Sequence, residues 1–201
     1  MFAFAWETSI AYLVGSFPTA YLVVKWRKGL DVRAVGSGNM GTLNAYRTIG
    51  FSWALLVLAV DTGKGMLAIV PALLHGGDLH LYGTSLGAVI GHNWPLFLGF
   101  RGGRGAATVF GISLAVMPIL TGTSAAGALL AGWLLHNAVV GIVGGFLLLN
   151  LLTIVTGQSL VTVTLCLALT FLVGGTYFVG QRRQFARVWA TRRWRDALAI
   201  E

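Results

Sequence analysis

The sequence predicts an all-α integral membrane protein of seven transmembrane helices, with its N-terminus outside and its C-terminus cytoplasmic. Three observations predict it. Of the 201 residues, 56% are hydrophobic and only 10% charged, with a mean hydropathy of +0.79, and a soluble domain of that length cannot hide so much apolar surface. The apolar residues gather into runs that suit the roughly 20-residue helix needed to cross a hydrocarbon core. The charge, fourteen Lys and Arg against six Asp and Glu for a net +8, is concentrated between those runs, as cytoplasmic loops require.

The first run, near 7–25, follows opening residues MFAFAWETSI that lack the basic n-region and cleavage site of a signal peptide, so this helix is expected to be retained. After it comes the polar stretch GLDVRAVGSGNMGTLNAYR, 29–47. Gly36, Gly38 and Gly41 are free to take positive φ and bring backbone N–H groups up to an anion, as in a phosphate-binding nest. Ser37, Asn39 and Asn44 add neutral donors, while Arg33 and Arg47 add charge suited to bidentate phosphate recognition. The plain alternative is a flexible basic loop. The GxGxxG at 36–41 lacks the strand that precedes a dinucleotide fingerprint, so a Rossmann site is not expected.

The second run, 51–74, carries VDTGKG, which sets Asp61 and Lys64 at i and i+3 on one helix face. Charges inside a membrane helix face the protein interior or a polar cavity, so the two are expected to pair, structurally or at a functional site. The third run, 80–99, passes into GHNWPLFLGFRGGRGAAT, 91–108. His92 and Asn93 sit near its cytoplasmic end, Pro95 interrupts its hydrogen-bond ladder, and RGGRG turns into the fourth run, 105–120. Backbone donors at that helix start, with Arg101 and Arg104, suit an anion. Headgroup anchoring by the arginines and an interhelical hydrogen bond from His92 are the alternatives for each residue alone. Three polar, glycine-rich segments on one side of the membrane point instead to a shared anionic site.

The fifth run, 124–156, is too long for one span and is interrupted by His136 and Asn137, so it reads as two helices joined there. The last run is 159–180. Thirteen of the fourteen basic residues then form three clusters: Lys25, Arg27, Lys28, Arg33 and Arg47; Arg101 and Arg104; and Arg182, Arg183, Arg187, Arg192, Arg193 and Arg195. Seven spans put all three inside, whereas six would strand the last outside. The 28 glycines fit close helix packing in lipid. No repeat, linker or second domain is visible, and residues 1–201 read as a single transmembrane domain.

Other chemistries find little support. Cys166 has no partner for a disulfide or a zinc site. An H-x-x-x-x-D acyltransferase motif is absent, Phe97 and His80 standing where the aspartate would follow His92 and His75. There is no G-x-S-x-G elbow and no carboxylate pair for two-metal chemistry, and no metal is expected.

The chain resembles the acyl-phosphate:glycerol-3-phosphate acyltransferases of the bacterial PlsY type. YLVGSFPTAYLV, GLDVRAVGSGNMGTLN, DTGKGMLA and GHNWPLFLGFRGGRGAAT match that family's pattern in order and approximate spacing over the first half of the chain. The resemblance implies a seven-helix acyltransferase of the bacterial inner membrane with its active site facing the cytoplasm. Its substrates would be acyl phosphate and glycerol 3-phosphate, with no coenzyme A or metal cofactor, membrane lipids as neighbours and no nucleic-acid partner. A monomer is compatible with the sequence, which leaves oligomeric state open. By position, Ser37, Arg47, His92 and Asn93 would be catalytic. Gly36, Gly38, Asn39, Gly41, Asn44 and Lys64 would bind substrate, joined by Arg101, Gly102, Gly103, Arg104, Gly105, Thr108, Arg182 and Gln184, with the 102–105 turn on the acceptor phosphate. The proton of the attacking hydroxyl would go to His92 or to a substrate phosphate oxygen.

Some positions depart from the family pattern. Arg101 and Arg104 stand where lysines are usual, and they form a different hydrogen-bond fork. Leu43 replaces a threonine, HNAVVG replaces a serine-bearing loop, and the C-terminal motif reads GQRRQ and then TRR. Two further readings therefore stay open: a related membrane acyltransferase with another acceptor or donor, and a noncatalytic lipid-binding or anion-transport protein.

Overall fold

The computed structural model describes residues 2–191, apart from the side chains at 75, 183–185, 187, 188 and 191. All regular structure among the described residues is helical. The α-helices are α1 (Phe2–Gly15), α2 (Thr19–Lys28), α3 (Thr42–Ile49), α4 (Phe51–Ala68), α5 (Val70–His75), α6 (Asp78–Asn93), α7 (Ala106–Val116), α8 (Pro118–Leu134), α9 (Ala138–Val155) and α10 (Leu160–Thr191). Phe51–Ala68, Ala138–Val155 and Leu160–Arg182 are long and apolar enough to cross a membrane, and Ala106–Val116 and Pro118–Leu134 are shorter apolar helices.

Three of the expected continuous runs are broken, and the cause is proline. The chain has four prolines, at 18, 71, 95 and 118, and each marks a helix boundary. A proline removes a backbone donor and pushes the residue before it out of the α region. The run 7–25 accordingly divides at Ser16–Pro18, 51–74 at Ile69 and 105–120 at Met117, which takes φ −144° and ψ 70°. The third run ends at Asn93 rather than 99, because Trp94, before Pro95, is extended at φ −131°. The break expected at 136–137 is present: His136 adopts a left-handed φ of 50°. The Asn137 side chain then caps α9 by accepting from the N–H groups of Val139 and Val140.

The described chain forms two compact units, one ending at Val116 and the other beginning at Met117. In the first, α1 packs on α6 and α4 on α7. A stripe of glycines on α6 makes the first contact possible. A Cβ on Gly83 would strike Phe4 and Thr8, on Gly87 the Thr8 carbonyl, and on Gly91 the Tyr12 carbonyl. The α4–α7 contact works in the same way, with Gly65 against the Thr108 carbonyl and Gly111 against the Thr62 carbonyl. Small residues at helix contacts in lipid allow such backbone approach. An apolar core of Ala20, Val24, Val32, Ala45, Ala54 and Val57 lies under the loop between α2 and α3 and seats it. In the second unit α8 and α9 form an antiparallel hairpin and α10 packs on α9, where the buried Asn150 amide donates to Thr170 Oγ1 at 2.8 Å.

Candidate active site

The first loop is organised from inside by Asn44. Its side chain is fully buried, its Nδ2 donates to the carbonyls of Val32, Val35 and Asn39, each at 3.0 Å, and its Oδ1 accepts from Ser37 N–H at 3.1 Å. Gly36 and Gly38 take the expected positive φ, 58° and 69°. At Gly36 the reason is visible, since a Cβ there would strike Asn44 Oδ1. Three expectations need correction. Gly41 is extended, at φ −128°, because it is the residue that starts α3. Asn44 spends its donors on the loop and has none left for a ligand. The N–H groups of Ser37 and Gly38 are likewise used internally, on Asn44 Oδ1 and the Val35 carbonyl. What the loop presents outward is the exposed Ser37 hydroxyl, the half-buried Asn39 and, on α3, the exposed Arg47.

Arg33 joins this loop to the second. Its guanidinium pairs with Asp31 at 2.7 Å and its Nη1 donates to the Leu98 carbonyl at 3.1 Å. The hydrogen bond from Arg33 holds the Asp31 carboxyl down at about 2, below the usual carboxylate range, and Asp31 in turn raises Arg33. Tyr12 ties α1 to the second loop, its hydroxyl donating to the Trp94 carbonyl at 2.8 Å.

The second loop closes on the end of α6. Gly103 N–H donates to the His92 carbonyl at 3.0 Å and Gly102 N–H to the Asn93 carbonyl at 3.1 Å. These two donors, expected to face a phosphate, instead satisfy carbonyls that the helix end leaves open. Gly105 takes φ 82° and opens α7, whose first hydrogen bond runs from Val109 N–H to the Gly105 carbonyl. The N–H groups ahead of it have no partner within the helix. At the same place, both polar atoms of the buried Asn93 amide and the buried Thr108 hydroxyl have no hydrogen-bond partner. Buried polar groups are nearly always satisfied, so such a cluster suits a polar ligand. Arg101 is exposed and Arg104 half-buried beside it.

Beneath the loops lies a small cavity lined by Ser16, Phe17, Pro18, Thr19, Met40, Asp61, Lys64, His92 and Pro95. Asp61 and Lys64 pair as expected, Oδ1 to Nζ at 2.8 Å, and both are almost wholly buried. Lys64 Nζ also donates to the Phe17 carbonyl at 3.0 Å, and Thr19 Oγ1 donates to Asp61 Oδ1 at 2.8 Å. A single acidic or basic residue at the centre of a membrane helix costs roughly 2.5–3.5 kcal/mol; pairing and these added hydrogen bonds offset that cost. Ser16, Phe17 and Thr19 escape the sequence reading, which runs the first helix through them. The signal for them is Pro18.

The structure thus brings together Lys64 and His92 around one cavity; His92, Asn93, Gly102, Gly103 and Gly105 in one loop closure; and Gly36, Ser37, Asn39 and Asn44 in the other loop. Arg182 lies exposed on α10, in the second unit. The side chain of Gln184, and all of Arg192, Arg193 and Arg195, lie outside the described residues.

Residues 6–190 match the family described as Glycerol-3-phosphate acyltransferase. Glycerol-3-phosphate acyltransferase 2 of Moorella thermoacetica is 47% identical over 110 residues, 55% of this chain and 57% of its own length. Glycerol-3-phosphate acyltransferase 4 of Dehalococcoides mccartyi is 40% identical over 181 residues, 87% of this chain and 95% of its own. Among solved structures, the glycerol 3-phosphate form of PlsY (YgiH), an integral membrane glycerol 3-phosphate acyltransferase, superposes with a TM-score of 0.83. It is 27% identical, with 94% of each chain covered. Taken with the four motifs and the two interlocked loops, these matches show that the chain belongs to the glycerol-3-phosphate acyltransferase family.

Proposed function

We propose that the protein transfers an acyl group from an acyl phosphate to the 1-hydroxyl of glycerol 3-phosphate, giving lysophosphatidate and inorganic phosphate for phospholipid biosynthesis. The hydroxyl oxygen bonds to the acyl carbon, the bond from that carbon to the phosphate oxygen breaks, and phosphate leaves. The observation that carries this reading is the cluster at the start of α7, where the unpartnered Asn93 amide and Thr108 hydroxyl share one turn with open backbone donors and Arg101 and Arg104. Such a turn suits the acceptor phosphate. Ser37 and Arg47 would orient the donor, and since phosphate is already a good leaving group, positioning and charge stabilisation supply most of what the reaction needs. The His92 ring is enclosed, which favours a substrate phosphate oxygen as the acceptor of the hydroxyl proton.

On this reading residues 1–201 act as one catalytic domain, a monomer in the bacterial inner membrane. Its seven spans are α1 with α2, α4 with α5, α6, α7, α8, α9 and α10, with the N-terminus outside and both motif loops cytoplasmic. The basic clusters support that orientation. Purified protein supplied with acyl phosphate and glycerol 3-phosphate should release phosphate in step with lysophosphatidate, and Ser37→Ala and Arg47→Ala should each lose at least about 100-fold in kcat/KM, the loss of one good oxyanion or anion contact. No acyl transfer to any phosphorylated polyol would sink the proposal. A second reading, a different acceptor, is favoured by one observation: Asn137, in the loop where relatives are expected to carry a serine, is committed to capping α9. A panel of phosphorylated acceptors read by mass spectrometry separates the two.

A further inference from the structure

We propose that Asp61 is a positioning residue for acceptor binding: with Lys64 it holds the ring of His92, and through that ring the turn on which the acceptor phosphate sits. The inference rests on the functional reading above and adds a residue to it. Among the described residues Asp61 makes no hydrogen bond or ion pair to either loop, its partners being Thr19, Lys64 and His92. Its Oδ1 accepts from Thr19 and Lys64 and lies 3.9 Å from His92 Nδ1. On the far side of the same ring, Nε2 lies so close under Gly103 that a Cβ there would collide with it. The His92 carbonyl meanwhile holds Gly103 N–H. The imidazole is therefore a spacer, with a buried carboxylate 3.9 Å from its Nδ1 edge and the phosphate turn packed on its Nε2 edge.

The charges explain why the spacer keeps its place. Lys64 anchors Asp61 to the Phe17 carbonyl at the interrupted first helix, so the carboxylate cannot swing without leaving an ammonium unpaired in the bilayer. An apolar pair would fill the same volume more cheaply. What it would not supply is a carboxylate facing the buried Nδ1 of His92, which has no hydrogen-bond partner.

The test separates acceptor binding from general stability. In purified Asp61→Asn, KM for glycerol 3-phosphate should rise about ten- to a hundredfold, the effect of a small misplacement of a binding group, while KM for acyl phosphate stays near the wild-type value. Adding His92→Ala to Asp61→Asn should change the acceptor KM little further, because both act through one ring; additive effects would overturn the proposal. Asp61→Asn leaves Lys64 unpaired, so the double variant Asp61→Asn/Lys64→Met, which buries no orphan charge, is made in parallel and should show the same rise. A wild-type acceptor KM in that variant, or its failure to assemble, assigns the pair to stability alone and overturns the proposal. The two readings fail separately: an inactive wild-type protein sinks the function, whereas an active one whose Asp61 variants bind acceptor normally sinks only this inference.

Discussion

Asn44 shows how far a residue's part can lie from its composition-based reading. In a glycine-rich basic loop an asparagine looks like a ligand donor, yet here its amide binds three carbonyls and one N–H of the loop itself. Its partners lie five to twelve positions earlier, a pattern that no local periodicity reveals. Asp61 and Lys64 are the opposite case. Helical spacing alone sets them face to face, and the pair is there. Asn44→Ala should destabilise the protein by about 2–4 kcal/mol, since several modest hydrogen bonds are lost and buried carbonyls are left open. Denaturant unfolding of the detergent-solubilised protein measures this, and an unchanged midpoint would show that the loop holds its shape without the amide.

At the scale of elements, hydropathy locates the apolar runs but not where they break. The runs 7–25, 51–74 and 105–120 read as continuous because proline barely alters an apolar window, whereas its effect on the backbone ladder is local and absolute. The HN interruption at 136–137 is legible because it is polar. Glycine is ambiguous in the same way: the stripe at 83, 87 and 91 has helical spacing, but only the packing shows that it faces α1. Gly91→Leu should therefore cost at least about 1–3 kcal/mol, the usual penalty of overpacking. Gly174→Leu on α10, where a Cβ meets nothing within 4 Å, should cost little. Thermal unfolding of the two variants side by side checks the contrast, and equal midpoints would mean that α6 does not need the close approach.

For the molecule as a whole, charge distribution carries the proposed topology and hydropathy the membrane assignment, while the site is legible only in outline. The three polar segments are visible as sequence; that Arg33 ties the first to the third across 65 residues, and that Tyr12 holds α1 to the third across 82, is not. The orientation can be read on intact cells with a membrane-impermeant thiol reagent, native Cys166 being buried. Asp78→Cys should label from outside and Lys28→Cys only after permeabilisation; labelling of Lys28→Cys on intact cells would reverse the proposed topology. The interruption at Ser16–Pro18 has a last consequence. A helix broken within a bilayer exposes a carbonyl that many membrane proteins would satisfy with a dissolved cation drawn from one side. Here the cation is Lys64, covalently part of the chain, so the break is neutralised once, at folding. The open carbonyl at the break thus brings its own cation with it, and no mobile ion is needed to close that one hydrogen bond.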